Sequence, residues 1–295
     1  MEFLRPATWD EALAAKAAYP SAVPIAGGTD VMVELNFDRH RPDALIDLNR
    51  IPELHTWEIG GDDLVRLGAS VPYARIIAHL TDRLPGLSLA SHTVGSPQIR
   101  NRGSVGGNLG AASPAGDSHP ALLASGGEVE VASAARGTRM IPIDEFYLGV
   151  KRNALEPDEL ILAVHIPSAT APQQFSKIGT RNAMVIAVCS FGIALHPAGQ
   201  AVRTGIGSAA PTPRRATAAE EFIAAELADT GLWASRGELA DATARRFGEL
   251  VAEAASPIDD VRGSAAYRRH ALSVMARRTL TWTWNEYRAA GRAAA

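Results

Sequence analysis

Val23-Pro24-Ile25-Ala26-Gly27-Gly28-Thr29-Asp30 is an apolar run that ends on paired glycines and leads into the helix-compatible stretch VMVELN. A strand that delivers two glycines to a helix start leaves several backbone N–H groups with no side chains in front of them. With the helix dipole behind it, that geometry suits a phosphate or a diphosphate. An ordinary strand-to-helix turn capped by Thr29 or Asp30 fits the same residues, so this stretch alone leaves both readings open.

A second small-residue stretch reads Arg100-Asn101-Arg102-Gly103-Ser104-Val105-Gly106-Gly107-Asn108-Leu109-Gly110-Ala111-Ala112-Ser113-Pro114-Ala115-Gly116-Asp117. Residues 103–117 are too many for a hairpin turn and are predicted to form a functional loop. Small residues let the backbone close on a ligand and form an anion-binding concavity. Asn108 and Asp117 add polar handles suited to ribityl or ribose hydroxyls. A flexible surface loop is the alternative; the apolar frame of Ile99, Val105 and Ala121-Leu122-Leu123 speaks against it. Other nucleotide signatures are missing. GxxxxGK followed by Ser or Thr does not occur, and Gly205-Ile206-Gly207-Ser208-Ala209-Ala210 matches GxGxxA only by accident, because Pro211 and Pro213 forbid the helix that a phosphate would need.

Around these stretches the chain reads as an α+β protein. Thr8-Trp9-Asp10-Glu11 fits a capping box opening a helix that stops at Tyr19-Pro20. Strands are expected at residues 22–26 and 44–48, making a small parallel α/β unit over residues 1–55. A mixed-sheet part over 56–168 follows, with strands at 64–69, 128–132, 139–143 and 160–166 and helices at 71–80 and 87–94. Pro167-Ser168-Ala169-Thr170-Ala171-Pro172 is the linker candidate. A smaller C-terminal α+β domain over 173–288 has strands at 174–179, 185–195 and 201–207, then helices within 213–254 and 265–287. The Ala-rich tail 289–295 is expected to fray.

Composition narrows the function. A net charge of −3 over 295 residues argues against nucleic-acid binding. No apolar run approaches the ~18 residues of a membrane span, and Met1-Glu2-Phe3-Leu4-Arg5-Pro6 lacks a secretory pattern, so a cytoplasmic protein is expected. The single cysteine, Cys189, lies in the apolar run VIAVCSFGIAL and reads as buried and inert; alone it can build neither a disulfide nor an iron–sulfur site. The eight histidines are scattered without metal-ligand spacing, and His119 reads as solvent-facing or capping. Asp259-Asp260 reads as a turn before Gly263 and the last helix. Any redox centre must then be an organic cofactor. Lysines number only three among 29 basic residues (Lys16, Lys151, Lys177), a bias that reflects genome composition yet singles each one out.

The two glycine stretches, in this order and spacing, resemble those of the FAD-binding medium subunits of the xanthine dehydrogenase and carbon monoxide dehydrogenase family. AGGTD and SVGGN resemble the two pyrophosphate loops, and SPAGDSHPALLA, DELILAVHIP, FSKIGTR, SAAPTPRRA and PIDDVRGSAAYRRH resemble family segments along the whole chain. GSPQIRNRGSVGGN is similar to the bacterial purine-oxidising members. The resemblance implies a two-part FAD-binding domain of the vanillyl-alcohol oxidase type followed by a smaller C-terminal domain. It implies that Ala26, Gly27, Gly28, Thr29 and Asp30, reached through Val23, Pro24 and Ile25, hold the FAD diphosphate with Ser104, Val105, Gly106, Gly107 and Asn108. Ala111 stands where some relatives carry Thr, and Val94 where animal enzymes place an aromatic ring. Asp117 would bond a cofactor hydroxyl, Ile161 would pack near the adenine or flavin, and Lys177 would approach the isoalloxazine, where positive charge favours the reduced anion. The implied partners are a large subunit with a molybdenum cofactor and a small subunit with two [2Fe–2S] clusters, in a paired heterotrimer that discharges to NAD or another acceptor. A self-contained flavin oxidoreductase and a flavin-free assembly subunit remain as alternatives on the residues alone.

Overall fold

Thr8 starts the first helix by accepting a hydrogen bond from the Glu11 N–H at 3.2 Å, while the Glu11 carboxylate takes the Ala7 N–H at 2.7 Å. This is the expected capping box with its return bond moved one residue outward. The computed structural model describes residues 1–39 and 41–293. Helix α1 (Trp9–Ala18) packs beside a parallel three-stranded sheet of order β1-β3-β2, built from β1 (Glu2–Leu4), β2 (Val23–Ile25) and β3 (Ala44–Asp47). The edge strand β1 is too short to announce itself in the sequence. Helix α2 (Val31–Asn36) follows the Gly27-Gly28 turn.

The next unit centres on an antiparallel sheet of order β4-β5-β10-β6-β7, with β4 (Trp57–Ile59), β5 (Leu64–Gly68), β6 (Glu128–Ser133), β7 (Gly137–Pro142) and β10 (Leu160–Pro167). Between β5 and β6 run α3 (Tyr73–His79), α4 (Pro85–Thr93), α5 (Pro97–Arg100), α6 (Val105–Ala111) and α7 (Ser118–Ser125). Residues 103–117 are therefore not one long loop. Ser104 caps α6 by accepting from the Gly107 N–H at 3.1 Å, and Ala112 ends it in the left-handed region. Three glycines weaken helix propensity by about 1 kcal/mol each, which is why the pattern reads as loop. One of them is needed for contact: a Cβ on Gly106 would sit 2.5 Å from the Ala69 carbonyl oxygen. After β7, the short α8 (Ile143–Phe146) leads to the hairpin of β8 (Tyr147–Gly149) and β9 (Arg152–Asn153).

The C-terminal part is an antiparallel sheet of order β11-β12-β13, from β11 (Gln173–Ile178), β12 (Cys189–His196) and β13 (Ala201–Gly207), covered by α9 (Thr217–Asp229), α10 (Leu232–Ser235), α11 (Asp241–Glu253) and α12 (Ala265–Ala293). Strand β12 begins at Cys189 rather than Val185. Met184 has a positive φ of 51°, and Arg181 folds back onto the Ala183 and Met184 carbonyls, which holds that segment in a loop. Helix α12 runs past the expected end at residue 287 to Ala293; of the tail expected to fray, residues 294–295 lie outside the described residues. Asp259 accepts from the Ala265 N–H at the start of α12, and Asp260 bridges to Gly263, the turn expected there. No described helix is long and apolar enough to cross a membrane.

Apolar burial forms two clusters, one from Ala12 to Phe175 and one from Cys189 to Tyr287. Helix α7, buried on every side, is wedged where they meet. Its Pro120 carbonyl lies so close to the C-terminal sheet that a Cβ on Gly205 would approach it to 2.2 Å, and one on Gly192 to 2.7 Å. The carbonyls at its C-terminus are capped across the joint, Ala124 by His196 Nε2 at 3.1 Å and Leu123 by Arg203 Nε at 3.4 Å. Asp144 on α8 also binds Arg203 at 3.2 Å and Arg215 at 2.9 Å. Gly205→Ala should therefore lose about 1–3 kcal/mol of stability by overpacking. A urea midpoint unchanged from wild type would show that this contact is not tight.

Candidate functional site

The two glycine stretches meet at one point. A Cβ on Gly27 would lie 2.0 Å from the Arg102 carbonyl oxygen, so only glycine lets the first turn touch the backbone ahead of α6. Asn49 secures the junction, donating to the Ala26 carbonyl at 2.8 Å and accepting from Arg102 at 3.1 Å. A cavity of about 850 Å³ opens beside this contact. Val23, Pro24, Ala26, Gly27, Gly28, Thr29 and Asp30 form one stretch of its wall; Ser104, Gly106, Gly107, Asn108, Ala111, Asp117 and Ile161 form another. Ile25, Val105 and Lys177 are not on the wall. Val105 is in the core, and Lys177 reaches the site through Asp117.

The two stretches present different chemistry. Among the described residues, the N–H groups of Gly27, Gly28, Thr29 and Asp30 donate to no protein acceptor, and Gly28 takes a φ of +74° that glycine alone adopts freely. Those of Gly106, Gly107 and Asn108 are engaged internally, by Ala69, the Ser104 hydroxyl and the Ser104 carbonyl. The open amides thus concentrate in the first turn. The second stretch supplies bare surface: a Cβ on Gly107 would meet only the Ser104 hydroxyl, at 3.3 Å.

Asp117 sits at the start of α7, 8 % exposed. Its Oδ2 accepts from Lys177 Nζ at 2.6 Å and from the Thr93 hydroxyl at 3.2 Å, and Lys177 also donates to the Thr93 carbonyl at 3.1 Å. Its Oδ1 is buried with no protein partner. Burial pushes the Asp117 carboxyl up, and the Lys177 ammonium and Thr93 hydroxyl pull it back. An orphaned carboxylate oxygen on a cavity-lining residue calls for a donor from a ligand.

Three cavity-lining features escape the motif reading. Lys16 is buried in the wall, Lys151 at the β8–β9 turn pairs with Glu34 of α2, and the Lys151 N–H reaches the Ala112 carbonyl at 3.1 Å. The scarcity of lysine was the available signal: two of the three line the cavity and the third binds Asp117. The G-x-G-x-x-A match lies in and just after β13 with no helix until Thr217, so it forms no phosphate site. Cys189 is buried, its thiol pushed up to about 12 by burial. No group of His, Cys, Asp and Glu able to hold a metal occurs among the described residues.

His119 overturns the expectation of a solvent-facing or capping residue. It is fully buried in α7, with Nδ1 2.8 Å from the Tyr147 hydroxyl and its ring edge-on to that of Tyr147. A Cβ on Gly116 would come within 2.3 Å of its Nε2, so the ring props the turn that carries Asp117. Burial lowers its pKa from 6.5 to about 3. Between those values the unfolded chain takes up a proton that the folded chain refuses. Stability from this residue is therefore complete above about pH 6.5 and falls as pH drops, by up to ~1.4 kcal/mol per pH unit. His119→Gln should flatten part of the acid slope in urea unfolding between about pH 7 and pH 5; an unchanged slope would contradict a buried neutral ring.

Comparison with known proteins identifies the family and the fold. The family model described as the FAD binding domain in molybdopterin dehydrogenase matches residues 1–169, and that of the CO dehydrogenase flavoprotein C-terminal domain matches residues 174–283. The xanthine dehydrogenase FAD-binding subunit of Escherichia coli O157:H7 is 30% identical over 291 residues, covering 94% of each chain. The carbon monoxide dehydrogenase medium chain of Hydrogenophaga pseudoflava is 28% identical over 271 residues, 88% of each. A solved structure of carbon monoxide dehydrogenase from that organism superposes with a TM-score of 0.86 at 25% identity, over 97% of this chain and 98% of its counterpart. The residues present fit FAD: open amides for a diphosphate, an orphaned Asp117 oxygen for a hydroxyl, and a cavity within the size range of large organic ligands. The chain is an oxidoreductase subunit with an FAD-binding domain, and it belongs to the molybdopterin dehydrogenase flavoprotein family.

Proposed function

We propose that this chain relays electrons, taking them from the [2Fe–2S] clusters of a small partner subunit and passing them to NAD or another acceptor. A large partner with a molybdenum cofactor would oxidise the substrate, the three chains forming a paired heterotrimer in the cytoplasm. Residues 1–168 would be the flavin domain and 173–288 the C-terminal domain. The observation that carries the reading is the row of open amides from Gly27 to Asp30 beside the contact with Arg102, on a cavity whose wall also holds Asp117. Relatives named as FAD-binding and medium subunits of dehydrogenases support it.

When bound, FAD supplies the redox chemistry, because it exchanges electrons singly and in pairs. The amides of Gly27, Gly28, Thr29 and Asp30 would hold the diphosphate, and the bare face of Gly107 would let it approach. Asp117 Oδ1 would accept a cofactor hydroxyl, and Ile161 would pack against a ring. Lys177, bonded to Oδ2 of the same carboxylate, orients Asp117 and would lie toward the isoalloxazine end.

The purified chain with added FAD should show a bound-flavin spectrum. It should oxidise no substrate alone, and its flavin should be reduced once the molybdenum and iron–sulfur partners and their substrate are added. A chain that stays colourless, or a flavin bleached by a small molecule with no partner, would defeat the reading. Gly107→Val should weaken FAD binding at least tenfold (~1.4 kcal/mol) while the apo chain still folds, because apart from the Ser104 hydroxyl the space beside Gly107 is open to the ligand. Fluorescence titration beside thermal unfolding checks both halves.

A further inference from the structure

The cavity holds a cation that the relay reading does not use. Lys16 of α1 is 7 % exposed and lines the wall. An ammonium has three donors; two go to the carbonyls of Pro20 and Ala22, each at 2.7 Å. Among the described residues it forms no direct ion pair, which leaves one N–H without an acceptor; burial draws its pKa down, and the more distant Asp158 carboxylate offsets that only in part. A buried charge in that condition is costly unless something else completes it.

Its place along the cavity says what that is. Ala22 immediately precedes β2, and at about 3.3 Å per strand residue it lies roughly 15 Å from Gly27. The cavity lining also includes Pro20, Pro24, Leu48, Leu155 and Pro157, apolar surface suited to a flat base, together with the carboxylates Glu156 and Glu159. Asp117 ends the other glycine stretch, Lys177 of β11 is bonded to it, and Val94 lines the cavity from the end of α4. If the diphosphate lies at Gly27 and the isoalloxazine toward Lys177, as the proposed function has it, the wall around Lys16 receives the adenosine half. We propose that Lys16 recognises this half, donating its remaining N–H to a purine or ribose acceptor, and so makes the chain select FAD over FMN.

The test is titration of the full-length chain and its Lys16→Met variant with FAD and FMN by flavin fluorescence, and with ADP by competition. Losing one charge-assisted hydrogen bond should weaken FAD and ADP about tenfold to a hundredfold in the variant, with FMN affinity unchanged within about twofold. Should Lys16→Met fail to fold, Lys16→Gln, which keeps an amide donor for the Ala22 carbonyl, is measured in the same way. Equal losses for all three ligands would assign Lys16 to shaping the wall and overturn the proposal, as would no change in any. Wild type that binds no FAD would bring down the relay reading first; wild type that binds FAD, matched by both variants, would remove this proposal alone.

Discussion

One backbone contact organises the site. Gly27 presses against the Arg102 carbonyl, and no side chain fits between them. The parallel sheet that ends in the first turn and the α5–α6 segment are fixed to each other there, with Asn49 bonded to both sides. The cavity is the space beside that junction. Its row of free amides exists because the turn is held by packing and through its carbonyls, Ala26 bonded by Asn49 and Gly28 by the Met32 N–H, and not through its own N–H groups.

The electrostatics follow a similar economy. The described residues place one orphaned carboxylate oxygen on the cavity wall, and its sister oxygen is held by a lysine from the C-terminal part. Such a pair is a weak source of stability, since removing both charges from water offsets most of their attraction. Its value is orientation: Lys177 and the Thr93 hydroxyl leave Asp117 one direction in which to accept a further bond.

Much of this architecture is legible in the chain. Strands at 64–69, 160–166 and 201–207 appear within a residue or so of their expected ends, because β-branched runs bounded by turn residues have few other options. Asp117 and the first glycine turn are readable from composition and spacing. Three features are not. Helix α6 hides because its glycines serve close contact with Ala69 at the expense of propensity. His119 looks polar in sequence and is buried by a partner, Tyr147, far along the chain. Lys16 falls on a helix whose pattern says nothing of the cavity behind it. In each case tertiary contact overrides a local signal, and no local window contains the other half of the contact.

The glycine seam under Pro120 has a consequence for motion. Two domains joined by a flexible hinge can open and shut; here the backbones interlock around α7 and its last carbonyls are capped from across the joint, contacts that oppose such opening. In the relay proposed above, a joint built from bare main chain would keep the flavin part and the C-terminal part at a constant separation.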